Sequence, residues 1–251
     1  MYFIEKNVNI QTKLRVKDEK MVNSLKRIDA HLSNLGYCSR KEAKKFLRIF
    51  EVCVKDERVF DPSIKAYHDH ITIDNEKLDP EKITILLNKP DGYICSHNDA
   101  GMLIYSLIPD RWNRRNPKIS TIGRLDVDTT GAIILTDDGA LNHKLSSPKS
   151  DVSKVYEATL AVPLKGDENE IFASGELMLN GEKKPLLPAS LEVISPTHIR
   201  LEICEGKYHQ VKRMFASVGN RVLTLHRVSF DGFTVEDLKE SEYKTITYAK
   251  K

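Results

Sequence analysis

Four aspartates crowd the segment TIGRLDVDTTGAIILTDDG (121–139), beside apolar and β-branched residues. Carboxylates in such a loop could ligate a metal, cap turns or act as a nucleophile. Asp126 differs from the others because it follows Gly-Arg-Leu. An extended backbone would place Arg124 and Asp126 on one side of the chain and Leu125 on the other. Because a carboxylate beside a cation stays ionised, this spacing makes Asp126 the candidate nucleophile.

The same loop also resembles a calcium-binding EF-hand, an alternative that its flanks disfavour. The segment DVDTTGAIILTD (126–137) has aspartates at its first, third and twelfth positions and glycine at its sixth. However, Thr130 is a poor ligand, and the run after Gly131 is typical of a strand where an EF-hand needs a helix. A DxD metal site for nucleotide-sugar chemistry would need further ligands, so we expect no metal. Turn-capping roles suit the other aspartates, Asp128, Asp137 and Asp138.

A second segment with chemical potential is CEGKYHQVKRMFASVGNRV (204–222). Its apolar residues recur at helical spacing, which predicts a helix near 208–218 that Gly219 ends. Lys212 and Arg213 lie on another face of that helix. Taken alone, the pattern is typical of an amphipathic surface helix.

The elements that must position these segments begin with a small N-terminal part. Residues 1–23 are polar and mixed in charge, so we expect a flexible extension there. Residues 24–82 predict two helices and short strands, with Leu25 in the first helix. Ser39 opens the second helix, with Glu42 as its capping-box partner. Five basic side chains form what we call the basic helix face: Arg40, Lys41, Lys44, Lys45 and Arg48. Such a face is typical of either a solvated surface or a nucleic-acid contact.

Residues 83–251 are rich in strand-like runs and poor in helices. The runs are 119–122, 132–136, 155–162, 190–194, 198–204 and 222–228, with helices near 139–146 and 208–218. This pattern predicts an α+β fold. A small helix-helix-strand module precedes a mixed, mostly antiparallel β-sheet domain that helices flank.

Composition excludes several classes of protein. The four cysteines, at 38, 53, 95 and 204, show neither a CxxC pair nor zinc-ligand spacing. We therefore expect a reducing, cytoplasmic setting without disulfides. The chain shows no apolar leader and no window of about 18 apolar residues, which argues against secretion and membrane spanning. A net charge of +3 neither requires nor excludes a nucleic acid.

Together these motifs resemble the pseudouridine synthases, specifically the branch with an N-terminal S4 RNA-binding domain. RIDAHLSNLGYCSRKEAKKFL and VCVKDERV resemble the S4 domain, although Phe50-Glu51 and Asp56-Glu57 replace its usual glycine-containing turns. GRLDVDTTGAIILTDDG resembles the catalytic loop, KVYEATL (154–160) the tyrosine strand, EGKYHQVKRMF the basic motif and LNKPDGYICS the leading strand. These segments are most similar to those of the bacterial enzymes that modify one uridine of small-subunit (16S) ribosomal RNA.

The resemblance implies an isomerisation in which uracil leaves the ribose C1′, rotates and rejoins through carbon. No redox cofactor, ATP or metal is implied. Asp126 is the implied nucleophile; attack on the base, attack on C1′ and abstraction of a sugar proton all remain open. Tyr156 would stack on the flipped-out uracil, and Lys212, or Arg213 as second choice, would pair with Asp126. The implied RNA contacts are Arg124, Arg213, His209 and the basic helix face.

The implied partner is 16S ribosomal RNA or a small-subunit assembly intermediate, bound by a cytoplasmic monomer. The alternative is a non-catalytic ribosome-assembly factor that uses the same parts only to bind RNA. The combination of Asp126, Arg124, Tyr156 and Lys212 favours the enzyme, because a retired site has no physical reason to keep it.

Overall fold

The computed structural model describes residues 25–147 and 150–248. The expected flexible extension, residues 1–23, lies outside these described residues. Within them, no helix has both the length and the apolar character needed to cross a membrane. The elements form a small N-terminal module and a larger sheet, and each has its own cluster of buried apolar residues.

The N-terminal module combines two helices with short strands. The helices are α1 (Ile28–Asn34) and α2 (Ala43–Ile49). The strands are β1 (Lys26–Arg27), β2 (Val52–Val54), β3 (Glu57–Arg58), β4 (Lys65–Ala66), β5 (Ile71–Ile73) and β6 (Glu76–Lys77). A single-turn 3-10 helix, His68–His70, precedes β5. β1 pairs with β4, whereas β3, β2, β5 and β6 form an antiparallel sheet under the helices.

Both predicted helix starts in this module are wrong. Leu25 lies outside α1 and is 52% exposed, because the next two residues pair as a strand with β4. The helix expected from Ser39 begins at Ala43. One of the two capping-box contacts nevertheless forms, since Ser39 N donates to the Glu42 carboxylate at 3.0 Å. The Ser39 Oγ donates to the same carboxylate at 2.6 Å, and Glu42 N donates to the Ser39 carbonyl oxygen instead of Oγ. Residues 40–42 form a turn rather than the first helical turn.

The rest of the described chain is built on a nine-stranded sheet and a short parallel pair. The strands are β7 (Thr84–Lys89), β8 (Tyr93–Ile94), β9 (Met102–Leu103), β10 (Ser120–Ile122), β11 (Thr129–Thr136), β12 (Lys154–Leu160), β13 (Ser190–Ser195), β14 (His198–Ile203), β15 (Val222–Phe230), β16 (Phe233–Thr234) and β17 (Tyr243–Thr245). The helices are α3 (Asp110–Asn113), α4 (Gly139–Ser146), α5 (Glu168–Ala173) and α6 (Gln210–Ser217), with a 3-10 turn at Ile104–Leu107.

The large sheet has the order β13-β14-β12-β15-β11-β7-β17, with β10 beside β11 and β16 beside β15. Its neighbours are antiparallel except β11 and β15, which run parallel. The predicted α+β fold with a mixed, mostly antiparallel sheet is therefore confirmed. Every predicted strand forms, although the ends shift by up to three residues, as where β11 begins at Thr129 instead of residue 132.

Two of the loop aspartates hold the sheet and its connections together. Asp138 caps α4, because its carboxylate accepts hydrogen bonds from Ala140 N and Leu141 N at 3.0 and 3.3 Å. Asp137 is buried and accepts from Arg115 Nε at 2.7 Å, in an ion pair whose side chains are 3% and 0% exposed. Its other oxygen accepts from Ile83 N at 2.7 Å, just before β7. Both aspartates therefore have structural duties.

The N-terminal module packs closely against α3. Gly36 has a positive φ of +79°, and a Cβ there would stand 2.1 Å from the Arg111 carbonyl oxygen, so this approach requires glycine. The Arg111 guanidinium lies over the Tyr37 ring at 4.3 Å and donates to Asp79. A domain boundary between residues 82 and 83 stays a prediction, and these contacts cross it.

Candidate active site

Three adjacent strands meet behind the aspartate loop. β15 lies between β11 and β12, and its register places Arg227 opposite Gly131 on one side and Tyr156 on the other. Gly131 has a φ of +104°, and a Cβ there would lie 2.3 Å from the Arg227 carbonyl oxygen. The loop glycine is thus required by the close approach of two backbones.

The loop residues differ in burial. Leu125 is 7% exposed and belongs to the main apolar core, whereas Arg124 is exposed. Arg124, Leu125 and Asp126 all line a cavity of about 250 Å³. A hydrogen bond of 3.1 Å from Thr129 N to Asp126 O closes the turn that leads into β11. The turn fixes Asp126 at the edge of the sheet.

Lys89, at the end of β7, supports this turn from inside the protein. Its side chain is buried, and Nζ donates to the carbonyl oxygens of Val127 at 3.0 Å, Thr129 at 2.8 Å and Pro90 at 3.0 Å. Burial lowers the pKa of the Lys89 ammonium. The sequence reasoning missed this residue. A lysine that ends the strand-like run ITILLN, directly before Pro-Asp-Gly, was the available signal.

Asp126 has two nitrogen-bearing neighbours from one helical segment. Lys212 Nζ lies 3.2 Å from Asp126 Oδ2, and His209 Nε2 lies 3.2 Å from Oδ1. Lys212 lies in the first turn of α6 and His209 directly precedes that helix, so both side chains come from the same end of α6 to one carboxylate. The Asp126 side chain is 27% exposed, so it is shielded but open to the cavity. The three groups form a compact polar cluster.

Lys212 also connects the two aspartates that are two residues apart. Its Nζ lies 2.6 Å from Asp128 Oδ1, and Asp128 is 63% exposed. The hydrogen bond from Lys212 lowers the pKa of the Asp128 carboxyl. Burial opposes the charge on Lys212, but its bonds to Asp128 and Asp126 outweigh burial and raise its pKa. The lysine is thus held as a cation between two carboxylates.

The other basic residue of the motif points elsewhere. Arg213 donates from Nη1 to Glu182 and to the Tyr208 carbonyl oxygen, both at 3.0 Å. His209 has a positive φ of 47° just before α6, and the exposed Tyr208 ring stacks on it at 3.8 Å. The structure therefore brings Lys212, and not Arg213, to Asp126.

The cavity continues from Asp126 to the inner sheet strands. Its lining also includes Lys154 and Tyr156 from β12 and Arg227 and Phe230 from β15. Tyr156 is 8% exposed and also belongs to the main core, so it is both a packing residue and part of the cavity wall. An enclosure of this size, with one aromatic wall and a charged rim, suits a single nucleobase.

Comparison with known proteins identifies the enzyme family of this chain. Residues 83–217 match the family described as RNA pseudouridylate synthase. The ribosomal small subunit pseudouridine synthase A of Escherichia coli (strain K12) is 40% identical over 228 residues, covering 88% of this chain and 96% of that protein. The chain belongs to the RNA pseudouridylate synthase family. The synthase is accordingly an RNA-modifying isomerase.

Two further relatives agree with this assignment. The ribosomal small subunit pseudouridine synthase A of Vibrio cholerae serotype O1 is 39% identical to the synthase over 230 residues, covering 88% of this chain and 96% of that protein. A crystal structure of a pseudouridylate synthase matches with a TM-score of 0.62 and 38% identity, covering 88% of this chain and 96% of its own. These relatives therefore support an enzyme rather than a non-catalytic assembly factor.

The metal alternatives gain no support from the geometry of the synthase. The segment that follows Asp128 is strand β11, where an EF-hand would need a helix. Among the described residues, no group of three or more His, Cys, Asp or Glu side chains is placed to hold a metal ion.

The remaining predicted RNA contacts of the synthase lie on its surface. Arg124 is exposed at the cavity edge. On the N-terminal module, Ala43 and Leu47 are the buried residues of α2. The five side chains of the basic helix face are exposed: Arg40, Lys41, Lys44, Lys45 and Arg48. These positions are geometrically open to RNA, and their contact with it stays a prediction.

Proposed function

We propose that the synthase converts one specific uridine of 16S small-subunit ribosomal RNA to pseudouridine, with Asp126 as the catalytic nucleophile. The substrate assignment is supported by relatives that are named as small-subunit enzymes and align with 88% of this chain. The sharp similarity of the GRLDVDTTG and EGKYHQVKRMF segments to such enzymes points the same way.

One observation carries the assignment of Asp126. In the described chain, it is the aspartate of the loop that lines the cavity. Asp137 and Asp138 are committed to an ion pair and a helix cap, and Asp128 is largely exposed beside Lys212. Asp126 thus combines access to a bound base with a fixed orientation set by Lys212 and His209.

The target base must leave its helix to reach this carboxylate, which costs a few kcal/mol. We propose that Tyr156, which lines the same cavity as Asp126, forms the aromatic wall on which the base stacks. Stacking of a base on an aromatic ring contributes about 1–3 kcal/mol, which offsets much of that cost. We propose that Arg124, which is exposed and lines the cavity, binds the phosphate next to the flipped nucleotide or fills the gap left in the RNA.

The N-terminal module is proposed to act as an S4-type docking arm. Its basic helix face is exposed and offers five positive charges to RNA phosphates. We propose that the synthase acts in the cytoplasm, as a monomer, on 16S ribosomal RNA or on an assembly intermediate.

The test is a chemical map of pseudouridines in ribosomal RNA from cells with and without the protein. We expect one 16S pseudouridine to disappear with the protein and to return when purified synthase is added to the unmodified RNA. Naked 16S RNA and purified assembly intermediates, tested side by side, identify the preferred substrate. A pseudouridine lost from large-subunit or transfer RNA, with 16S RNA unchanged, contradicts the proposal.

A further inference from the structure

The lining of the cavity also carries two basic side chains from the large sheet. Lys154 and Arg227 both line it, from the adjacent strands β12 and β15. Lys154 Nζ donates to the Val152 carbonyl oxygen at 2.5 Å, and the ammonium lies 5.7 Å from the Phe230 ring centre. Burial, together with the charge on Arg227, lowers the pKa of Lys154. The two cations are therefore close enough to repel each other.

Arg227 is the more deeply placed of the two, at 2% exposure. Its Nε donates to the Ala132 carbonyl oxygen at 2.6 Å, and Nη1 lies 3.4 Å from the Tyr156 hydroxyl oxygen. Its Nη2 is buried and has no hydrogen-bond partner among the described residues. The two oxygens near Arg227 belong to a carbonyl and a hydroxyl group. Neither is a carboxylate, so they do not neutralise the charge of the guanidinium.

Such an arrangement is costly in the free enzyme. A guanidinium cannot give up its proton in a protein, and a buried charged donor without a partner is destabilising. Buried polar groups are almost always paired, so an unpaired one in a cavity wall indicates a partner that arrives with a ligand. The partner must be an acceptor that carries negative charge.

The isomerisation supplies such an acceptor. When the N1–C1′ bond breaks, its electron pair leaves with the ring, and the negative charge spreads from N1 onto the carbonyl oxygens O2 and O4. The C5–C1′ bond then forms, C5 loses its proton and N1 gains one, so the composition is unchanged. The detached uracil is thus most negative while it is held in the cavity.

We propose that Arg227 is a further catalytic residue, which donates from Nη2 to a carbonyl oxygen of the flipped uracil and stabilises the negative charge of the detached ring. This inference rests on the proposed function, because it requires the target base in this cavity. Lys154 adds positive charge on the same wall. A planar ring stacked beside Tyr156 presents its carbonyl oxygens at its edge, where a buried donor can reach them. A phosphate, by contrast, remains on the RNA backbone at the cavity edge, near Arg124.

The decisive experiment combines enzyme variants with atomic substitution in the RNA. Single-turnover rates at saturating 16S RNA are measured with uridine, 2-thiouridine or 4-thiouridine at the mapped target. Sulfur accepts hydrogen bonds poorly, so we expect one of the two thio substitutions to slow the wild-type enzyme about tenfold. Equal rates on all three RNAs would overturn the proposal without recourse to any variant.

Arg227→Met should lower the single-turnover rate on uridine about a hundredfold, as loss of one donor to a developing anion does. RNA affinity should be nearly unchanged. The thio substitution that slows the wild type should have no further effect on Arg227→Met, which is a non-additivity that a purely structural role would not produce. Arg227→Lys, which keeps the charge, should recover part of the rate.

Arg200→Met is the matched control, because Arg200 lies on β14 of the same sheet and pairs with Glu157 at 2.6 Å, outside the cavity lining. It should show the wild-type rate and the wild-type response to both thio substitutions. If Arg227→Met responds to them as strongly as the wild type does, Arg227 does not contact the base and the inference is wrong, while the proposed function stands. A wild-type enzyme that forms no pseudouridine in 16S RNA would overturn both.

Discussion

The Lys212 ammonium lies between Asp126 and Asp128, 3.2 Å from the first carboxylate and 2.6 Å from the second. It therefore holds the proposed nucleophile by an ion pair and is itself anchored by a neighbour in the same loop. The adjacent Arg213 is instead bonded to Glu182. The structure brings Lys212 to Asp126. The order of residues along the chain leaves open which basic residue pairs with Asp126.

Lys212→Met should lower the single-turnover rate strongly, by about a hundredfold, because the carboxylate loses its fixed charged partner. Lys212→Arg should retain part of the rate. Arg213→Met should mainly lower the melting temperature, since it removes the contact to Glu182. Single-turnover rates at saturating RNA, together with thermal unfolding, separate these effects. A rate loss in Arg213→Met equal to that in Lys212→Met would contradict the assignment.

The pH dependence of the free energy of unfolding should reflect the ion pair between Lys212 and Asp128. The pKa of Asp128 is lowered from 3.8, so its contribution is present above that value and is lost as the pH falls through the folded-state pKa. The pKa of Lys212 is raised from 10.5, so its contribution is present below that value and is lost as the pH rises through the folded-state pKa.

The difference in unfolding free energy between wild type and Lys212→Met should therefore be constant from about pH 5 to 9 and shrink outside that window. Chemical denaturation across a pH series measures it. If this free-energy difference instead changes at about pH 6.5, a histidine is the main partner in this cluster.

Asp137 and Asp128 should differ sharply in their contributions to stability. Asp137→Ala removes one partner of the buried ion pair with Arg115 and should lower the free energy of unfolding by about 3–5 kcal/mol. Asp128 is 63% exposed, so Asp128→Ala should cost less than about 1 kcal/mol. Denaturant unfolding of both variants gives the comparison. Equal losses would show that the buried ion pair with Arg115 stabilises the fold no more than the exposed ion pair of Asp128 does.

The basic helix face should govern RNA binding rather than turnover. Replacing Lys41, Lys44 and Lys45 with glutamine should weaken 16S RNA affinity and reduce the slope of log affinity against log salt by about two to three, at 0.7–0.9 per phosphate contact. The single-turnover rate at saturating RNA should change little. An unchanged slope would make this face an ordinary solvated surface. An equal collapse of the rate would place it in the catalytic machinery.

Local patterns were sufficient to predict much of this molecule. Runs of β-branched residues predict strands such as β11, and Asp138 before Gly139 marks the start of α4. The alternation around Leu125 also follows from local geometry. The sequence reasoning missed Lys89 and Arg227, because each residue acquires its role only when its strand meets another. The parallel pairing of β11 with β15, which brings Gly131 against Arg227, has no local signature.

We propose that Asp126, rather than its neighbour Asp128, performs the chemistry. Asn replaces Asp at constant size but removes the charge and the nucleophilicity. The most direct measurement is the single-turnover formation of pseudouridine in 16S RNA by Asp126→Asn and Asp128→Asn, with RNA affinity and melting temperature measured beside it. We expect Asp126→Asn to form no detectable product while it still folds and binds RNA, and Asp128→Asn to stay within about tenfold of wild type, since an exposed ion pair contributes roughly 0–1 kcal/mol. Near-wild-type product formation by Asp126→Asn, with Asp128→Asn inactive, would contradict the account.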